Sequence, residues 1–243
     1  MAWSCLSTAA SRSSELAPDR RKVANRREQG RHTRTDHPAP SEKNLSISAA
    51  LSDPSLDQIF RSARTFNGWA DRAVADAKVR EIYNLMRWGP TSANCSPARF
   101  VWVRSADGKA TLAGLAAEQN KPKILQAPVT VIIGHDLDFA GQLPKLLPHN
   151  AEAMQKYFAA PGVAEVTAMR NGTLQGAYLI VAARALGLDC GPMSGFDNAG
   201  VDKAFFSGTR IQSNFICSIG YGDPASVLPR NPRLSFEEAG RWA

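Results

Sequence analysis

Between residues 51 and 243 the apolar positions recur with two different periods, and the periods predict which stretches are helices and which are strands. Leu56, Ile59 and Phe60 follow Asp53-Pro54-Ser55, where Asp53 can cap a helix and Pro54 suits its first turn, so the folded body is expected to begin there. Asp76 opens a second helix. In it Val79, Ile82, Tyr83 and Met86 stand at i, i+3, i+4 and i+7 as one stripe, which Gly89-Pro90 ends. Residues 100–103 read as a short strand, 110–117 as a small-residue helix and 123–126 as a helical turn. The β-branched run at 129–133 predicts a buried strand. A long helix is expected over residues 164–186, with Gly172, Gly176 and Ala177 allowing close packing near its middle and Gly187 as its stop. Residues 214–219 form the last expected strand, and Ser235 with Glu238 makes a capping box for a terminal helix.

Helices and strands are thus interspersed, without regular β-α-β alternation, without an internal repeat and without a Gly-x-Gly-x-x-Gly turn. That pattern argues against a dinucleotide-binding Rossmann domain. The longest apolar run, residues 177–183, falls far short of the roughly 18 residues of a membrane-spanning helix, so a soluble protein is expected.

Composition changes the picture mainly at the N-terminus. Residues 1–50 are rich in Ser, Arg, Pro and Ala and lack a sustained apolar period, which predicts a disordered basic extension ahead of a domain at 51–243. This extension holds nine Lys/Arg and five Asp/Glu, so it carries +4 of the net +7 and leaves +3 for the rest of the 243 residues. A nucleic-acid binder would show its basic stripe on a folded face; one that uses the extension alone is the alternative reading from another function class. Arg20, Arg21, Lys22, Arg26 and Arg27 follow the mildly apolar start instead of preceding it, which argues against a secretory signal, and five acidic residues argue against a transit peptide. Cys5, Cys95, Cys190 and Cys217 form no Cys-x-x-Cys pair and have no histidine at ligand spacing, so no metal site and a reducing, cytoplasmic compartment are expected.

Several segments could carry chemistry. Arg64-Thr65-Phe66-Asn67-Gly68-Trp69 combines a charged fork, a hydroxyl and an amide suited to a phosphate, or else is a solvated loop with Trp69 anchored in the core. Trp88-Gly89-Pro90-Thr91-Ser92-Ala93-Asn94-Cys95-Ser96-Pro97 is a polar turn of the kind that sets short side chains against a ligand. Its Cys95 would be a nucleophile only with an activating base, for which His135 or His149 would have to approach in space; an inert, buried thiol is the blander reading. Gly191-Pro192-Met193-Ser194-Gly195-Phe196-Asp197 either lets the backbone approach a planar ligand or simply connects two helices, with Asp197 capping the second. Arg230 and Arg233 are surface charges or a phosphate clamp.

In order and spacing these segments resemble the nitroreductase family from about Leu56 to the C-terminus. The strings WGPTSANCSPAR (88–99), AYLIVAARALGLDCGPMSGFD (177–197) and PRLSFEEA (232–239) resemble its RutE/HadB branch. The resemblance implies an α+β fold with a central mixed sheet surrounded by helices, a homodimer, and FMN bound at two interface sites. It places Arg64 and Thr65 in the phosphate motif, Asn67 near the pyrimidine edge, Pro90, Thr91, Ser92 and Asn94 in the second motif and Asn120 with Lys123 in the third. Ser194 and Gly195 stand in the fourth, and Arg230 and Arg233 in the basic C-terminal pair. Two departures stand out: Asn67 occupies a position where many relatives have Lys or Arg, and Ser96 replaces a common Gln. The implied chemistry is hydride transfer from NADPH or NADH through flavin, with no covalent protein nucleophile and Lys123 as electrostatic support. The implied substrate is malonic semialdehyde, reduced to 3-hydroxypropionate in pyrimidine degradation, or more broadly a nitro compound or quinone. Arg99 and Arg170 are candidates to meet a substrate carboxylate.

Overall fold

The computed structural model describes residues 49–243, so the disorder expected of the N-terminal extension lies, except at its last two positions, outside the described residues. The body opens with α1 (Asp53–Leu56), which continues as a wide turn over Asp57–Arg61. Its cap is Ser52, whose hydroxyl accepts from the Ser55 N–H at 3.4 Å, and Asp53 is already inside the helix. Helix α2 (Asp76–Met86) buries Ile82 and Met86, while Tyr83 of the same expected stripe stays 45% exposed. Strand β1 (Ala98–Val103) leads to α3 (Ala106–Gly114), which starts earlier than its small residues suggested because Ser105 caps it through the Gly108 N–H at 3.1 Å. Then come α4 (Lys121–Gln126) and β2 (Val129–Asp136).

Two short helices, α5 (Leu143–Leu146) and α6 (Ala151–Phe158), fill a stretch for which no element was expected. The long helix α7 (Val163–Ala185) is followed by β3 (Asp189–Met193), α8 (Asn198–Phe205) and β4 (Ile211–Gly220). Helix α9 (Phe236–Ala239) has its capping box: Ser235 Oγ accepts from the Glu238 N–H at 3.3 Å, and Glu238 Oε2 accepts from the Ser235 N–H at 2.7 Å.

The strands pair in the order β1-β2-β4-β3, antiparallel at every junction. The α+β class stands, and within the described residues the parallel component of the sheet is an isolated bridge between Thr65 and Cys190. The central strand β2 is buried on both faces. Val129, Val131 and Ile133 pack against Leu179 and Ala182 of α7 and Ile82 and Met86 of α2, whereas Ile132 packs with Leu112 of α3, Ile124 of α4 and Val201 of α8. Each such fully buried aliphatic side chain contributes about 1.5–3 kcal/mol.

Helix α7 can lie this close because of two glycines. A β-carbon at Gly176 would sit 2.4 Å from the Phe215 ring, and one at Gly172 would sit 2.9 Å from His135 Cβ. Ala177, expected to join them, is exposed on the far side of the helix. Strand β3 occupies a segment whose sequence suggests either a loop approaching a planar ligand or a helix-to-helix connection. At the edge of the sheet the missing N–H of Pro192 costs no interior ladder bond, and the strand pairs Cys190 with Ile219 and Pro192 with Cys217.

Candidate functional site

Strand β3 ends at Met193, and the next residues cross to the loop that enters α4. The Gly195 carbonyl accepts from Asn120 Nδ2 at 3.1 Å and from the Ala117 N–H at 2.9 Å. Asn120 is only 5% exposed, and its other side-chain atom, Oδ1, accepts from Lys123 Nζ at 3.3 Å. Asn120 and Lys123 meet because Lys121-Pro122 starts α4 immediately after Asn120, which puts Lys123 one helical turn away. The Gly195 position is tight, since a β-carbon there would meet Asn120 Nδ2 at 3.1 Å and Ala117 Cβ at 3.4 Å. A shallow depression of about 460 Å³ opens beside it, lined in part by Ala117, Glu118, Lys121, Gly195 and Phe196. Ser194 is exposed at its edge of the strand.

The other end of β3 carries the Arg64 segment. Thr65 bridges to Cys190, the Phe66 N–H donates to the Cys190 carbonyl at 3.1 Å, and Asn67 Nδ2 reaches the Ser226 carbonyl at 3.5 Å. Gly191 is small for this reason and not for a ligand: a β-carbon there would lie 2.5 Å from the Phe66 carbonyl oxygen. Trp69 packs against the backbone at Gly191 and Gly220 and bridges to Gly222, as the anchored-tryptophan reading expects. Arg64 donates to the Leu228 carbonyl, and Arg230 donates back to the carbonyls of Arg61 and Ala63 at 2.9 and 3.0 Å. The first and last expected segments are therefore side by side. Arg233 turns to its own neighbours, donating to the Asn231 and Pro232 carbonyls at 3.0 Å.

The donor set fits an anionic, planar cofactor such as FMN. Among the described residues no carboxylate lies within ion-pair distance of Arg64, Lys123, Arg230 or Arg233. Uncompensated cations grouped at both ends of one edge strand suit a phosphate at one end and a polar ring at the other.

The Pro90 loop stands apart. Ser92 donates its N–H to Asn171 Oδ1 at 2.8 Å, Thr91 Oγ1 accepts from the Ser96 N–H at 3.1 Å, Asn94 Nδ2 donates to the Leu146 carbonyl at 2.8 Å, and the Pro90 carbonyl accepts from the Tyr178 hydroxyl at 3.0 Å. No hydrogen bond within the described residues joins this loop to Arg64, Asn120, Lys123, Gly195 or Arg230. The loop sits at Asn171 on α7, on one face of the sheet. The turn preceding Arg64 grips the end of the same helix, where Arg184 donates to the Ile59 carbonyl at 3.2 Å. Thirteen helical residues, about 20 Å along the axis, separate Arg184 from Asn171 at Ser92, and six, about 9 Å, separate it from Tyr178 at Pro90. Lys123 belongs to α4 on the opposite face. One copy of the chain does not bring these groups into a single pocket.

Cys95 is fully buried among Phe139, Leu143, Phe158 and Ala168. Burial pushes its thiol up to about 11, the Thr91 hydroxyl opposing this only in part. That burial fits the inert thiol of the blander reading: His149 is exposed, and His135 is held on β2 with its own basicity lowered by burial. Arg99 is committed to Asp136 at 2.7 Å and to the Ser96 and Ala98 carbonyls, while Arg170 is exposed. Among the described residues no group of His, Cys, Asp and Glu could hold a metal, and no helix is long and apolar enough to cross a membrane.

The chain is similar to known proteins over most of its described residues. The model of the nitroreductase family matches residues 61–221. A protein of Caulobacter sp. (strain K31), provisionally named NADH dehydrogenase/NAD(P)H nitroreductase, is 60% identical over 193 residues, which cover 79% of this chain and 98% of the relative. HadB of Ralstonia pickettii, under the same provisional name, is 60% identical over 188 residues, covering 76% of this chain and 95% of the relative. Among solved structures, a provisionally named nitroreductase from Exiguobacterium sibiricum 255-15 in complex with FMN superposes with a TM-score of 0.71 at 22% identity, over 82% of this chain and 100% of the other.

Proposed function

This chain belongs to the nitroreductase family, and from that premise we propose that it is an FMN-dependent NAD(P)H oxidoreductase that reduces malonic semialdehyde to 3-hydroxypropionate. The observation that carries the flavin part of the reading is the buried Asn120, which ties the Gly195 carbonyl to the Lys123 ammonium where, among the described residues, no carboxylate neutralises that ammonium; the substrate rests on the resemblance to the RutE/HadB branch.

The chemistry that bound FMN would supply is hydride transfer between a reduced nicotinamide and an electrophilic carbon or nitro group. The chain's own residues bind and orient it. Arg64, Thr65, Arg230 and Arg233 hold the phosphate, the arginines exchanging backbone carbonyls for a charge-assisted contact. Asn120, Ser194 and Gly195 would line the ring and Lys123 would set a positive charge beside it, favouring reduction of the bound cofactor, while Asn67, at the Arg64 end with its amide on the Ser226 carbonyl, would meet only the nearer edge of the ring. Pro90, Thr91, Ser92 and Asn94 are remote from this set in one copy, so we assign them to the cofactor of a second copy in a homodimer. Isologous assembly would complete two sites at once. Arg170, exposed on α7, remains available to meet a substrate carboxylate, whereas Arg99 is already neutralised by Asp136.

The names of the relatives favour a second reading, reduction of nitro compounds or quinones. Steady-state oxidation of NADPH and NADH with malonic semialdehyde, a nitroaromatic and a quinone separates the two. A specificity constant highest for the semialdehyde supports the first, and one highest for the nitroaromatic or quinone replaces it.

A further inference from the structure

The Pro90 loop stores backbone strain that its own bonds, Ser96 N–H to Thr91 Oγ1 at 3.1 Å and the Asn94 and Cys95 N–H groups to the Thr91 and Ser92 carbonyls at 3.0 Å, only partly offset. Ala93, Asn94 and Ser96 all take positive φ, at 50°, 50° and 39°, and none is glycine. A residue with a β-carbon is disfavoured in that region, and three within four positions persist only when something outside the loop over-determines them.

Helix α7 supplies the hold. Asn171, Gln175 and Tyr178 stand at i, i+4 and i+7, one above another on the side facing the loop. Asn171 Oδ1 accepts from the Ser92 N–H at 2.8 Å, and Gln175 Oε1 accepts from the Ala98 N–H at 2.8 Å. The Tyr178 hydroxyl donates to the Pro90 carbonyl at 3.0 Å, and its ring closes over Gly89, where a β-carbon would lie 2.2 Å away. Asn171 is itself fixed by donating Nδ2 to the Thr167 carbonyl at 2.9 Å, and Asn171 and Gln175 are 2% and 6% exposed. The backbone on either side of the strained turn is thus clamped by one helix, while Ser92 and Asn94 within the turn remain exposed.

We propose that Asn171, Gln175 and Tyr178 are positioning residues that keep this loop in its flavin-binding conformation before the cofactor arrives, an inference that rests on assigning the loop to FMN. Strain held in place from outside lowers the ordering cost of binding, because the loop has no alternative conformations to give up. A connection needed only to turn the chain would be satisfied by glycine at Ala93 without any such clamp.

The test is a fluorescence titration of the flavin-free full-length protein with FMN, with the melting temperature of the same samples measured beside it. Gln175→Met removes the acceptor and is expected to weaken FMN binding about tenfold, whereas Gln175→Glu keeps an acceptor and stays within about threefold of the parent. Tyr178→Phe removes one hydroxyl and keeps the ring over Gly89, so it tests the idea even if the Gln175 variant fails to fold. It should weaken binding by about threefold with an unchanged melting temperature. Lower melting temperatures with undiminished FMN affinity in the folded fraction would overturn the positioning role and leave a structural one. A parent protein that binds no FMN overturns the flavin assignment itself, and this inference with it.

Discussion

The Pro90 loop and the Arg64–Arg230 junction are both polar, both lie at the ends of secondary-structure elements, and are held in opposite ways. Buried side chains of α7 hold the backbone on either side of the loop's strained turn, and Asn94 and Cys95 fix the turn itself to α5 and the core beneath it. The junction is two surface segments laced together by arginines that spend their donors on backbone carbonyls. Such contacts are made in water and are exchanged at little cost when a better acceptor arrives. Under the proposed assignment, one region is ready in advance and the other reorganises around an anion.

The largest blow to the comparison would come through α7. Gly176→Val forces a side chain into the Phe215 ring and should destabilise the fold by about 3 kcal/mol, lifting the clamp off the Pro90 loop. Urea unfolding would show the loss, and retained stability would mean that the helix does not lie where the close approach requires. Next comes Lys123→Met. It should slow reduction of bound FMN by NAD(P)H about 100-fold while leaving the phosphate end intact, as stopped-flow absorbance would reveal; unchanged kinetics would remove Lys123 from its electrostatic role.

A smaller effect is expected at the junction. Arg64→Ala and Arg230→Ala should each weaken FMN binding about tenfold at low salt, and the difference should shrink as ionic strength rises, because salt screens the exposed Arg230 and, less fully, the half-buried Arg64. The same salt series on Tyr178→Phe should show no such convergence, which sharpens the contrast between the regions. The smallest effect belongs to Cys95→Ala, which should leave turnover at neutral pH unchanged. Because the folded thiol is pushed from an ordinary 9.0 up to about 11, its stabilising contribution is complete below pH 9 and is lost as pH rises through 11, where ionisation favours the unfolded chain. Unfolding curves for the parent and Cys95→Ala at pH 8 and pH 11 should converge at the higher value. A Cys95 variant without turnover would revive the thiol mechanism.

What could be read in advance follows from where the information sits along the chain. The long helix, the buried central strand and the α9 capping box are signalled by contiguous residues, and the structure places all three within a few positions of expectation. Strand β3 was missed because an edge strand tolerates Gly191-Pro192, and edge status is a property of the sheet. Helices α5 and α6 are too short for a period to emerge, and Phe158 earns its burial only by meeting the Phe139 ring edge-on at 4.9 Å. The site divides in the same way. Asn120 and Lys123 are one helical turn apart, and the resemblance to the family pairs them. That Gly195 is their partner, or that Arg64 and Arg230 are neighbours, depends on contacts between residues 75 or more positions apart. The clamp was invisible for another reason: Asn171, Gln175 and Tyr178 interrupt an apolar helix, and only the strained loop opposite explains them.

The most direct measurement is a visible absorption spectrum of the purified protein, recorded anaerobically before and after addition of NADPH or NADH. The account predicts flavin bands that bleach with one of the two nucleotides and return when malonic semialdehyde is added. A colourless protein that takes up no FMN from solution would contradict it.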